Sequence, residues 1–171
     1  MIMANIKEIK IILDNIRSIH NVGSIFRTAD AAGVSKIYLV GTTPSPVDRF
    51  GRKRKDLAKV SLGAEESVAW EYVVDTKATL ELIKNLKKDR FTVVALEQDE
   101  RSVDYREVFL KMKSGSTKKN GGIALILGNE VGGVSKELLD DAHIIAEIPM
   151  AGKKESLNVS VAAGVALFGI I

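Results

Sequence analysis

Two apolar runs near the carboxyl terminus, each broken at once by small and polar residues, constrain the fold of this chain more than any other feature. The first opens residues 123–135, where Ile-Ala-Leu-Ile-Leu is followed by Gly-Asn-Glu-Val-Gly-Gly-Val-Ser. The second opens residues 144–160, where Ile-Ile-Ala-Glu-Ile is followed by Pro-Met-Ala-Gly-Lys-Lys-Glu-Ser-Leu-Asn-Val-Ser. Each reads as a buried strand whose carboxyl end opens into a turn with exposed backbone amides. In open α/β sheets that is where ligands bind. A third small-residue segment, Asn21-Val-Gly-Ser-Ile-Phe-Arg27, lies near the start of the chain.

The remaining sequence alternates between strand and helix signals. Residues 9–13, 36–40 and 68–74 are short strand-like runs, the last around Trp70. Residues 91–96 are almost continuously apolar, which suits a parallel strand covered on both faces. Asn21 is placed to cap a helix that ends before Gly33, and Thr76 to cap one over 77–88 with Leu80, Ile83 and Leu86 at helical spacing. A short helix is expected over 104–112, another after Ser135, and a final one from about Leu157. In that last helix Leu157, Val161, Val165 and Phe168 share a face. The segment beginning Gly41-Thr-Thr-Pro-Ser-Pro46 opens a long polar loop, and 114–122 reads as a flexible connection. Alternating strands and helices predict an α/β fold: a mainly parallel sheet with helices on both faces, in one domain over 1–171 without a terminal extension.

Composition narrows the chemistry. The absence of cysteine removes disulfides, thiolate nucleophiles and Cys-based zinc sites. Two histidines far apart, His20 and His143, point to structural roles and to no metal centre. The first residues lack a basic-then-apolar leader, and no apolar run approaches bilayer length, so the expectation is a cytoplasmic protein without a membrane partner. The net charge of +3 is unevenly spread: Arg49, Arg52, Lys53, Arg54, Lys55 and Lys59 fall within eleven residues beside the single acid Asp56. Lys111, Lys113, Lys118 and Lys119 form a second cluster. Such blocks often contact phosphate backbones; a solvated loop satisfies the same pattern.

Several reaction classes drop out. The Gly128–Gly133 turn is not G-x-G-x-x-G, and no Gly-Lys-Ser/Thr follows it, so dinucleotide and Walker-type phosphate sites are absent. Ser156 lies in Glu-Ser-Leu rather than in a nucleophile elbow.

Three segments in order carry a resemblance. Residues 15–34 (with Asn21 and Arg27), 125–135 (with Glu130) and 148–163 (with Ser156 and Asn158) together resemble the SpoU/TrmH-type branch of the SPOUT RNA methyltransferases. The resemblance spans nearly the whole chain. It implies a deep trefoil knot in the C-terminal half and S-adenosylmethionine held bent among three loops, those following Leu96, Leu127 and Ile148. It further implies transfer of a methyl group to a ribose 2′-hydroxyl of tRNA or rRNA by a homodimer whose active site draws on both protomers. The small residues Ala162, Ala163, Gly164, Ala166 and Gly169 permit close helix approach, either packing within the chain or the dimer contact that the resemblance favours.

Carried over by position, the catalytic set is Asn21, Arg27, Glu130, Ser156 and Asn158. Leu96, Gly128, Ile148, Met150 and Leu157 would hold the cofactor. Adenine needs an apolar slot and backbone hydrogen-bonding groups, and Gly128, Gly132, Gly133 and Gly152 allow close backbone approach. Arg27 is assigned to the RNA phosphate and the 2′-hydroxyl. A guanidinium keeps its proton far above pH 7, so phosphate contact, hydroxyl alignment and electrostatic support suit it better than general-base work. Glu130 is expected to hold Arg27 or the ribose in register. Asn21, Ser156 and Asn158 could equally be helix caps. Arg49, Arg52, Lys53, Arg54 and Lys55 would attract RNA by charge. The reading from a different class is a non-catalytic RNA-binding module on the same scaffold; a small-molecule methyltransferase is a third.

Overall fold

A computed structural model describes residues 8–114 and 121–171. The chain first builds β1 (Ile9–Asp14), α1 (Ile19–Ala31), β2 (Lys36–Val40), the short helices α2 (Lys55–Ser61) and α3 (Ala64–Ser67), β3 (Ala69–Val73) and α4 (Thr76–Lys88). It continues through β4 (Phe91–Leu96), β5 (Val103–Asp104), α5 (Tyr105–Lys113), β6 (Gly122–Leu127), α6 (Lys136–Asp141), β7 (Ile144–Glu147) and α7 (Val159–Ile170). The seven strands form one sheet in the order β3-β2-β1-β6-β4-β7-β5. Every neighbouring pair is parallel, so all loops that follow a strand leave from the same edge.

The continuous apolar runs are explained by covering on both sides. Ile123, Leu125 and Leu127 of β6 point into a layer shared with α1, α5 and α7, through Phe26, Phe109 and Leu167. Ala124 and Ile126 point the other way, toward α4 and α6, where Ile83, Leu86 and Leu138 are buried. Successive strand side chains alternate faces, so a strand buried twice must be apolar throughout.

Helix starts depart from the sequence expectation at two places. Asn21 does not cap α1: the Ser18 hydroxyl does, accepting from the Asn21 N–H at 3.2 Å. Thr76 does not cap α4: the Asp75 carboxylate accepts from the Ala78 N–H at 2.8 Å. Both real caps are good acceptors one to three residues upstream, a shift that pattern reading does not resolve. Gly33, at φ +70°, does follow α1 in the left-handed conformation a C′ residue needs. The polar loop after Gly41 is shorter than expected, because α2 and α3 occupy its second part and bury Leu57 and Ala64. Residues 115–120 of the expected flexible connection lie outside the described residues.

The final helix starts at Val159, with Asn158 as its cap. The face carrying Val161 and Phe168 turns outward, 51% and 56% exposed, while Ala163, Ala166, Leu167 and Ile170 face the core. Among the described residues no helix is long and apolar enough to cross a membrane.

α2 lies tight against α1 at Gly23. A Cβ there would be 2.8 Å from Val60 Cβ and 3.1 Å from the Leu57 carbonyl oxygen. Gly23→Ala is therefore expected to destabilise the protein by about 1–3 kcal/mol, the usual cost of overpacking. The measurement is the urea midpoint, which should fall with an unchanged m-value.

Candidate active site

β4, β6 and β7 end side by side, and the segments that follow them enclose a cavity of about 440 Å³. That is within the range of small-ligand pockets, roughly 300–1,000 Å³. Leu96, Ile148, Met150 and Leu157 give it an apolar wall, and Gly128 brings bare backbone to it. Gly128 has no freedom to be larger, since a Cβ would sit 2.1 Å from the Val134 nitrogen and 2.2 Å from the Gly133 carbonyl carbon. Around Gly132 and Gly152, by contrast, an added Cβ would meet nothing nearer than 4.0 Å. Three carboxylates, Glu97, Glu130 and Glu147, line the cavity, and among the described residues no lysine, arginine or histidine does. The site is therefore negative, and it favours a ligand carrying positive charge.

Glu130 joins this pocket to α1. Its carboxylate accepts from the Arg17 N–H at 3.0 Å, the Ser18 N–H at 3.1 Å and the Asn21 side-chain amide at 2.9 Å. In a capping box, an acid at the third helical position reaches back to the N–H of the capping residue. Here that acid comes from a loop 112 residues away in the chain. α1 carries no acid in its own first turn, so Glu130 also supplies the negative charge that a helix N-terminus favours. Asn21 is freed from capping and bridges two loops: its amide nitrogen donates to Glu130, and its oxygen accepts from the Asn158 amide at 3.2 Å. Asn158 in turn caps α7 by accepting from the Ser160 N–H at 2.9 Å. Cap and site residue coincide at Asn158.

The turn bearing Glu130 is itself braced. The Asn129 oxygen accepts from the N–H groups of Val131 and Gly132, and its amide donates to the Asn15 carbonyl at 2.6 Å. Glu97 accepts from the Val134 N–H at 2.9 Å. The buried Asp14, at the end of β1, accepts from the Ser135 N–H at 2.8 Å and from the Asn15 amide at 2.9 Å. Sequence reasoning missed Glu97, Glu147, Asn129 and Asp14. An acid directly at a strand's carboxyl end was the available signal for Glu97, Glu147 and Asp14.

Among the residues expected from sequence, Leu96, Gly128, Glu130, Ile148, Met150, Ser156, Leu157 and Asn158 all line the one cavity. Asn21 reaches it through Glu130 and Asn158. Arg27 does not: it lies nearly two turns along α1, exposed, with no ion pair or hydrogen bond among the described residues. Of the two roles expected of Glu130, holding Arg27 or the ribose, the first is not met within this chain, where its carboxylate accepts from Arg17, Ser18 and Asn21 and does not bond Arg27. Arg49, Arg52, Lys53 and Arg54 sit in the segment between β2 and α2, and Lys55 opens α2. They are outside the cavity but leave the sheet from the same edge. Three of these cations have acidic partners: Arg52 with Asp48, Lys53 with Glu66 and Arg54 with Asp56. Among the described residues no group of three or more metal-ligating side chains is assembled.

Together these features define an α/β domain with a cofactor-sized, acid-lined pocket at the carboxyl edge of a parallel sheet. Residues 8–168 match the SpoU rRNA Methylase family, and the chain belongs to it. It is 33% identical over 161 residues to the 23S rRNA (guanosine-2′-O-)-methyltransferase RlmB of Pasteurella multocida, covering 94% of this chain and 58% of that protein. It is 32% identical to the tRNA (guanosine(18)-2′-O)-methyltransferase of Aquifex aeolicus, covering 95% of this chain and 68% of that one. The crystal structure of the AdoMet-bound rRNA methyltransferase from Sinorhizobium meliloti superposes with a TM-score of 0.78 at 32% identity, covering 96% of this chain and 56% of that chain. The chain thus spans little more than half the length of several relatives it matches.

Partial burial opposes ionisation of Glu130, but the Arg17 N–H, the Asn21 amide and the Ser18 N–H outweigh it and hold the carboxyl below its ordinary value of 4.5. A depressed folded-state pKa contributes stability that is full above the unfolded value and lost as pH falls through the folded one. Glu130→Gln is accordingly expected to be less stable than the parent at neutral pH, with the gap in urea midpoint closing as the pH drops below about 4.5. A gap independent of pH would show that the carboxylate charge contributes nothing.

Proposed function

We propose that this protein transfers the methyl group of S-adenosylmethionine to a ribose 2′-hydroxyl of tRNA or rRNA. The observation that carries this reading is the cavity beyond β4, β6 and β7: apolar on one wall, cradled by Gly128 and lined by three carboxylates. Those residues fit the cofactor, whose adenine suits the Leu96, Ile148 and Leu157 wall and whose ammonium and sulfonium suit the negative lining. The Pasteurella and Aquifex relatives, both guanosine 2′-O-methyltransferases, support the same reading.

When bound, S-adenosylmethionine supplies an electrophilic methyl whose leaving group is a neutral thioether, so no metal is required. The protein's task is then alignment of oxygen, carbon and sulfur, a positioning problem. Asn21 is hydrogen-bonded to both Glu130 and Asn158, and the three would orient the ribose at the mouth of the cavity. Ser156 would offer a further donor there. Arg27 would grip the RNA phosphate and align the 2′-hydroxyl. Arg49, Arg52, Lys53, Arg54 and Lys55 would bring RNA in by charge, and their present acidic partners, on the surface, give way to phosphate at little cost.

The proposal includes a homodimer. α7 has no charged residue, and its outward face exposes Val161 and Phe168, with Leu157 and Ile171 flanking it. A helix apolar all round is normally covered. Gly164 of α7 lies against Thr28 of α1, 3.8 Å from an added Cβ to the Thr28 methyl, so a partner seated on α7 would also meet the neighbouring Arg27. That arrangement supports an active site shared between protomers. The proposed fold is one SPOUT methyltransferase domain with a deep trefoil knot. Supporting the knot, β6 inserts between the earlier strands β1 and β4, and β7 between β4 and β5. The proposed location is the cytoplasm.

Incubation with methyl-labelled S-adenosylmethionine and either total tRNA or rRNA is expected to give label that survives alkaline cleavage of the RNA. Arg27→Ala is expected to lower the rate by about 10²-fold or more, the usual loss for a positioned charge-stabilising donor. Absence of label in both RNAs, with RNA binding intact and no cofactor binding, would leave the non-catalytic module in its place. Phe168→Glu is expected to sediment as a monomer where the parent sediments as a dimer, and to lose activity with Arg27 unaltered.

A further inference from the structure

Between β2 and α2 the chain forms a short hairpin in which Val47 bridges Lys53 in antiparallel fashion. Asp48 fixes its turn. One carboxylate oxygen accepts from the N–H groups of Phe50 and Arg52 at 2.8 and 3.0 Å, and the other accepts from the Arg52 Nε at 2.8 Å. The Asp48 N–H donates to the Arg52 carbonyl at 2.8 Å, and Gly51, at φ +76°, turns the chain. Below it, Arg54 donates its N–H to the Pro46 carbonyl at 2.9 Å. The turn is therefore braced rather than slack.

At its tip stands Phe50, 66% exposed. A lone exposed apolar side chain needs no explanation. This one is held on a braced turn with two guanidinium groups over its ring, Arg49 at 4.7 Å and Arg52 at 5.0 Å from the centroid. A rigid aromatic face among arginines is the chemistry that captures an unstacked nucleobase: the ring offers a π surface, and the arginines offer cation–π contact and phosphate pairing. An acidic peptide would satisfy the arginines and leave the ring unused. The hairpin leaves the sheet from the same edge as the cavity, and α2, which follows it, is docked on α1 at Gly23 between Asn21 and Arg27.

We infer that Phe50 is a stacking platform for one unpaired nucleobase of the RNA substrate, with Arg49 and Arg52 on the phosphates beside it. This rests on the proposed RNA substrate and narrows it to single-stranded or looped RNA. A base inside a duplex already has both faces stacked and has nothing to gain from Phe50. Every base has a π face, so the contact tolerates sequence and senses whether a base is splayed out.

The test is cofactor-free binding of the full chain to a fluorescent oligoadenylate, to its abasic counterpart and to a duplex. Phe50→Ala is expected to weaken oligoadenylate binding about tenfold, the loss typical of one base–aromatic stack. The slope of log affinity against log salt should be unchanged, because no phosphate contact is removed. Phe50→Tyr should bind as the parent does. Phe50→Leu, which keeps apolar bulk without a π face, should bind as Phe50→Ala does. Abasic and duplex RNA should not distinguish these variants. Arg49→Ala should instead flatten the salt slope by about 0.7, one phosphate contact on a single strand. Equal binding of oligoadenylate by the parent and Phe50→Ala would overturn the inference and leave the methyl-transfer reading standing. Equal weakening toward abasic RNA would reassign Phe50 to holding the hairpin together. Failure of the parent to bind any of the RNAs at low salt would overturn both this inference and the proposed RNA substrate. Loss of binding to anionic lipid vesicles in Phe50→Ala, with RNA binding intact, would assign the ring to a membrane surface.

Discussion

The parallel pairing of β6 with both β1 and β4 is the constraint on which the rest of the molecule depends. β6 is the strand that joins the β1-β2-β3 half of the sheet to the β4-β7-β5 half. Leu127 is in register with Leu13 on one side and with Leu96 on the other. The three strands therefore end level, and the segments that follow them emerge together. β7 pairs in parallel with β4, Ala146 in register with Leu96, and had β4, β6 or β7 run antiparallel its following loop would leave from the opposite edge and the cavity would lose a wall. Its place in the middle of the sheet puts helices over both faces of β6, which is why its five residues from Ile123 to Leu127 are all apolar.

Level strand ends allow distant parts of the chain to satisfy one another. Glu130, in the turn beyond β6, supplies the acceptor that the N-terminus of α1 lacks. Asn21 and Asn158 then close a hydrogen-bonded path from the first helix to the last. The helix end, the turn and the α7 cap are stabilised by groups that also border the cavity, so the site is set by the same interactions that hold the fold. Arg27 stands apart from this path, and in the proposed reaction its partner is the RNA.

Charge is sorted in space. The cavity is negative, and the hairpin between β2 and α2 is positive, although both belong to one sheet edge. In the proposed reaction this separates a cationic cofactor from a polyanionic substrate, each drawn to the surface of opposite sign. The ion pairs of Arg52, Lys53 and Arg54 with acids near them keep the hairpin ordered without committing its charge, because exposed pairs exchange partners at small cost.

Much of this was legible in the sequence because it rests on local pattern. Apolar runs ending in Gly, Asn and Ser marked strands and the turns at their carboxyl ends, and the family resemblance then placed Leu96, Gly128, Ile148 and Leu157 on one ligand site. Gly33 and the apolar spacing of α4 were equally local. Other features were decided by tertiary structure. That Asn21 serves Glu130 and Asn158, while Ser18 caps the helix, depends on a loop more than a hundred residues away. The burial of Leu57 comes from the docking of α2 against α1 and the hairpin from the bonds of the Asp48 carboxylate, where propensity read the whole segment as a polar loop. The face of α7 that carries Val161 and Phe168 turns outward because α7 packs on α1 and α5 through its small residues, and periodicity cannot say which of two apolar faces a core will take. Sequence by itself determined the strands other than the two-residue β5, their parallel fold class and the residues of the ligand turns, because backbone preference and burial act over a few neighbours. Only the tertiary structure decided which of those residues meet, because meeting depends on strand order and register, which are set by the packing of the whole sheet.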